Sequence, residues 1–204
     1  MPREAGTFSC PEHAIAVAYL MLAMPIEPKN PTQLVCEALR ERFDVEYERK
    51  ALSGLTPHEW HAQAVFTLKV LERTLGDGIG FHILQAQYGT GEEGAVSARR
   101  ISEWLNPGAP ADSREREVTD LLTAHILRGH PRLRDLCDRF DLPYSAMQRP
   151  ASAYRVLVEG ARRAALQRVD IRMRQAGIVT YSEGSDSMET NYFDGSLSRQ
   201  ILHK

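Results

Sequence analysis

The chain has 204 residues, of which 43% are hydrophobic and 25% charged. That is enough apolar material for one sizeable core or two small ones, at the charge level of an ordinary folded protein. A formal charge of −2 excludes a polybasic nucleic-acid binder. The scattered cysteines Cys10, Cys36 and Cys137 form no C-x-x-C pair, which argues against a zinc knuckle or disulfide framework and for a reducing, cytoplasmic setting.

Taken in chain order, the first feature is the unbroken apolar run AIAVAYLMLAM, 14–24. A membrane span needs roughly 20 such residues, so none is expected here. A secretory core segment could be this short, but Glu4 and Glu12 offset Arg3 and no small-x-small cleavage site follows. The run reads as a buried helix that starts at Pro11 and stops before Pro25. Next, NPTQLVCEALRERF (30–43) offers Asn30 as cap, Pro31 in the first turn, and Leu34, Val35, Leu39 and Phe43 on one face. The segment 55–75 repeats the design: Thr56 caps, Pro57 follows, and Trp60, Ala64, Leu68 and Leu71 form a stripe that ends at Gly76 and Gly78. A helix over about 79–88 precedes GTGEEG, read as a turn-rich loop, and then a short helix over 95–105. NPGAPADS (106–113) reads as a linker. A helix over 114–129 follows, capped by Asp112 or Ser113 and closed by Gly129.

Strand signals are weak. FDVEYERK (43–50) alternates somewhat, and GIVTYSE (177–183) suits a short extended piece. The polar end of the chain reads as a flexible tail or as a segment that orders on a partner. FHILQAQYG (81–89) and AHILRGHPR (124–132) share His-Ile-Leu near a helix end, a faint internal echo. The organisation expected is all-α: a multi-helix body over 1–105, a linker over 106–113, a helix-turn-helix module with a long helix over 114–177, and a tail over 178–204.

The stretch LRDLCDRFDLPYSAMQR (133–149) carries the functional reading. A helix-turn-helix needs apolar residues where its two helices face each other and a small residue where they cross. Leu133 and Leu136 supply the first helix's buried side, Cys137 the crossing, and Phe140 and Leu142 the brackets of the turn. Ser145 suits a cap and Met147 an inward anchor. Charge adds an independent line. Residues 131–176 hold ten arginines, no lysine and five carboxylates, a formal +5, so the remainder of the chain carries −7. A basic module on an acidic body suits phosphate contact by the module alone, and the guanidinium fork pairs bidentately with phosphate or guanine.

Over about 45 residues, LRGHPRLRDLCDRFDLPYSAMQR and the following ASAYRVLVEGARRAALQRVDIRMRQAG resemble the helix-turn-helix of sigma-factor region 4 and of the phage Q-type transcription antitermination proteins. The resemblance implies binding to double-stranded DNA at or near a promoter, contact with RNA polymerase, and DNA contacts at Tyr144, Ser145, Gln148, Arg149 and Arg155. Arg132 and Arg134 complete the candidate DNA-binding set. Pro150 departs from the pattern, because an interior proline costs about 3 kcal/mol and kinks a helix. Either the second helix is one turn long and then bends, or it starts at Pro150 and DLPYSAMQR is a loop. Leu157, Gly160, Ala161, Ala164, Ala165 and Leu166 look like a close-packed helix contact, either within the chain or as the seam of a homodimer.

Enzymatic readings are weaker. His58 and His61 in HEWH are three apart, whereas a zinc-binding helix pair is four apart. GDGIG (76–80) follows a helix rather than a strand, which does not suit a dinucleotide site. No Ser/His/Asp or Cys/His set assembles from the spacing, and Cys137 suits packing better than catalysis. The expectation is a non-catalytic DNA-binding transcription regulator with no cofactor and no metal. The rival is a helical protein-interaction factor that binds no nucleic acid.

Overall fold

A computed structural model of the chain describes residues 8–23 and 57–180. The expected helix over 30–43, the cap Thr56, the alternating stretch 43–50 and the tail beyond Thr180 lie outside the described residues. Within them the chain is all-α, and the seven helices there run in order. They are α1 (Pro11–Ala23), α2 (Pro57–Leu75), α3 (Ile79–Tyr88), α4 (Gly91–Leu105), α5 (Arg114–Arg128), α6 (Leu133–Phe140) and α7 (Tyr144–Gln175). None of these is long and apolar enough to cross a membrane.

α1 is apolar on every side because every side is covered: residues from Ala14 to Met21 are all buried. It packs chiefly on α2, whose expected stripe places Trp60, Ala64 and Leu71 inside and leaves Leu68 half-buried. Phe8 stacks edge-on against Trp60 at 6.1 Å between ring centroids. Phe8 also forms an isolated parallel bridge with Val179: its N–H donates to the Ile178 carbonyl at 3.2 Å and its carbonyl accepts from Thr180 at 3.0 Å. Of the extended piece expected over 177–183, Val179 forms this bridge, Gly177 turns at φ 71°, and 181–183 lie outside the described residues.

GTGEEG is not a loop. Only Gly89 and Thr90 are non-helical, and α4 begins at Gly91. Two glutamates in its first turn, Glu92 and Glu93, sit at the positive end of the helix dipole. Gly94 lets the Gly89 carbonyl and the Arg128 guanidinium approach closely, since a Cβ there would lie 3.1 Å from each. The segment 106–113 is laid over the start of α5. The Asn106 side-chain amide donates to Glu115 at 2.9 Å, and the buried Arg116 donates to the Ala109 carbonyl at 2.8 Å. Ser113 is the cap, its hydroxyl accepting from the Arg116 N–H at 3.1 Å, and Gly129 ends α5 in the left-handed region at φ 74°.

Pro150 neither stops nor starts a helix. α7 runs through it for 32 residues. The bond that proline cannot donate would have gone to the carbonyl of Ala146, an exposed residue, where water can take its place. Meanwhile Met147, Ala151 and Val158 are buried on either side of the proline and hold both halves of the helix down. α7 contributes to all three hydrophobic clusters. Met147 and Ala151 join Leu122, Leu136 and Phe140. Val158 joins Ile83, Ala86 and Ile101. Ala165, Leu166, Val169 and Met173 join α1, α2 and α3. Half of the small-residue stripe is thus spent within the chain: Ala165 is buried against Gly80 of α3, while Leu157, Gly160 and Ala164 are exposed.

Beside the cluster that α7 shares with α1, α2 and α3, the Glu12 carboxylate accepts from the Arg162 guanidinium and from the Tyr88 hydroxyl, the latter at 3.5 Å. Burial, and then the neighbouring Glu12 charge, push the Tyr88 phenol up to about 12. An unfolded tyrosine ionises near pH 10. Between about pH 10 and 12 the folded chain therefore keeps a proton that the unfolded chain releases, and stability falls as pH rises through that window. Tyr88→Phe is expected to flatten this fall, read from urea unfolding midpoints at stepped pH. Unchanged pH dependence would place the loss elsewhere.

Candidate nucleic-acid interface

α5, α6 and the first three turns of α7 enclose a small core of their own. Leu122, Leu136, Phe140, Met147 and Ala151 are buried in it, and Leu133, Cys137 and Tyr154 pack on it half-buried. Leu136, Phe140 and Met147 sit as the spacing demanded. Leu142 does not bracket the turn, being 36% exposed. The connection from α6 to α7 is three residues. Asp141 takes the left-handed conformation (φ 48°, ψ 53°), which a short polar side chain tolerates, and the Leu142 N–H returns to the Cys137 carbonyl at 3.1 Å. Pro143, fixed at φ −65°, then launches α7 at Tyr144. Ser145 is therefore not the cap expected of it: it is the second helical residue, and its side chain is exposed.

All seven candidate residues are exposed. Five of them, Arg132, Arg134, Tyr144, Gln148 and Arg155, line one open groove of about 450 Å³, together with His125, Leu133, Ala151 and Ser152. His125 is held there by its Nδ1, which lies 2.9 Å from the Pro131 carbonyl. A carbonyl only accepts, so Nδ1 carries the proton. Ser145 and Arg149 are not in the groove. Helical geometry, at about 100° per residue, explains the division. Met147 and Ala151 point inward. Tyr144, Gln148, Ser152 and Arg155 fall on one flank. Ser145 and Arg149 fall on the ridge opposite Met147. Sequence reasoning missed Ser152, which the spacing 144, 148, 152 and 155 marks once the helix is carried through Pro150.

The arginines divide into two groups. Arg114 donates to the Phe140 carbonyl, Arg128 to the Ala86 carbonyl at 3.2 Å, and Arg168 to the Thr74 carbonyl at 3.0 Å. Arg139, Arg162 and Arg174 pair with Glu117, Glu12 and Asp170. By contrast, the guanidinium groups of Arg132, Arg134, Arg149 and Arg155 form no salt bridge among the described residues. Arg132 and Arg134 stand at the start of α6 and Arg149 and Arg155 in the first four turns of α7, whose N-terminus has no side-chain cap and adds positive potential of its own. The arrangement suits a polyanion that lies across the end of α7.

His58 is exposed and His61 half-buried, and no group of three or more metal-ligating side chains occurs among the described residues. No protein-family model and no curated protein matches the chain.

Proposed function

We propose that the protein is a DNA-binding transcription regulator, with α6 and the start of α7 working as a helix-turn-helix on double-stranded DNA. The observation that carries this reading is a set of four exposed arginines, Arg132, Arg134, Arg149 and Arg155, that stand at the start of α6 and on the first turns of α7 and form no salt bridge among the described residues. Arg132, Arg134 and Arg155 in the groove bind phosphates and fix the module on the duplex, and the polar side chains of the first turns of α7 reach base edges. The likeness to sigma region 4 and Q-type antiterminators supports RNA polymerase as a protein partner and the cytoplasm as the setting.

The test is duplex binding by the full chain over a salt series. Three phosphate contacts predict that log K falls against log salt with a slope of about −3. Absence of binding at low salt would defeat the reading. It would favour a protein-interaction role through α4, where Val96 and Trp104 are 53% and 39% exposed.

A further inference from the structure

Around Arg149, within one turn on either side, the ridge of α7 carries only short side chains. The helical neighbours of Arg149 are Ser145 and Ala146 one turn before it and Ser152 and Ala153 one turn after. All four are exposed and none is charged. No carboxylate within a turn can therefore pair with Arg149, and no bulky side chain beside it holds the helix away from a surface. Met147 and Ala151, both buried, lie on the opposite side of the helix, so Arg149 projects directly away from the small core. The groove arginines differ: Arg155 lies on the flank of α7 and Arg132 and Arg134 at the start of α6, around the groove of about 450 Å³.

From this we infer that Arg149 is the specificity-determining residue, inserted into the major groove to read a guanine through O6 and N7, while Arg132, Arg134 and Arg155 serve the phosphates. The inference rests on the DNA-binding reading and deepens it. Small residues around the arginine let the backbone of α7 approach the floor of the groove closely enough for a planar fork to meet a base edge. The two roles differ chemically in what a neutral side chain does to them: glutamine, which pairs with adenine through N6 and N7, changes which base is read at a base edge, whereas at a phosphate it only removes a charge.

The experiment selects bound sequences from random duplexes with the full chain. It then measures competition between the selected duplex and versions in which each G·C pair is changed to A·T. The wild type is expected to lose roughly 10- to 100-fold at one guanine. Arg149→Gln is expected to move the preference at that position from G·C toward A·T while keeping the salt slope within about half a unit of wild type. Arg149→Ala is expected to lose the guanine selectivity, with unchanged helical content by circular dichroism. Retained guanine selectivity in Arg149→Gln overturns the inference. So does uniform weakening of every duplex by Arg149→Ala with a slope flatter by about 1, which would make Arg149 one more phosphate contact. Both of those outcomes leave DNA binding standing. Failure of the wild type to bind any duplex removes the inference together with the reading beneath it.

Discussion

Replacing Arg132, Arg134 and Arg155 together by alanine is expected to lower duplex affinity at low salt by at least about 10³-fold and to flatten the salt slope by about 3. The size follows from the chemistry. Each charge-assisted contact to a phosphate is worth about 1.5–3 kcal/mol, and each releases close to one counterion. The fold should not change, because the three side chains are exposed and none forms a salt bridge among the described residues. An unfolding midpoint equal to wild type, beside the lost affinity, separates a binding defect from a structural one. Affinity and slope equal to wild type would show that the groove does not face phosphate.

The largest effect on stability is expected at Gly80. A Cβ at this position would lie 2.7 Å from the Cβ of Ala165 in α7, closer than real Cβ atoms come, and within 3.8 Å of the Ala161 carbonyl. The contact is between the backbones of α3 and α7 themselves, so no flexible side chain can swing aside. Gly80→Val is expected to force the two helices apart and to cost about 3 kcal/mol, the upper part of the overpacking range. Gly160 is the control. It lies on the same long helix, and a Cβ added there would meet nothing within 4 Å, so Gly160→Ala is expected to stabilise by up to about 1 kcal/mol through helix propensity alone. Opposite signs for the two substitutions in urea unfolding would confirm that α3 and α7 meet at Gly80. Combining Gly80→Ala with Ala165→Gly should restore part of any loss, because the same space is freed from the other side.

Much of the fold was legible because its signals are local. Pro11, Ser113, Gly76 and Gly129 mark helix ends through backbone chemistry that needs no partner. The stripe Trp60, Ala64, Leu71 shows its periodicity in any window of the chain. The two misreadings came from tertiary context. GTGEEG has the composition of a turn, and only the approach of Gly89 and Arg128 to Gly94 explains why α4 absorbs most of it. Pro150 has the signature of a helix boundary, and only the burial of Met147, Ala151 and Val158 around it explains a helix that continues. The candidate interface was legible in the same measure. The resemblance named Tyr144, Gln148 and Arg155, which the helix places on one flank, and composition singled out arginine. Which arginines are tied to carbonyls and carboxylates and which stand free depends on residues far away in sequence, such as Ala86 for Arg128 and Thr74 for Arg168.

α7 belongs at once to the core beside α1, to the middle cluster and to the small core under the turn. At about 1.5 Å per residue, its 32 residues make a strut of about 48 Å that continues through Pro150, where one rung of the hydrogen-bond ladder is missing. A tilt or roll imposed where Val169 and Met173 are anchored must reappear at Tyr144 as a change of angle toward whatever that end grips. Any partner that seats on the α1 end thereby acquires leverage over the grip without touching it.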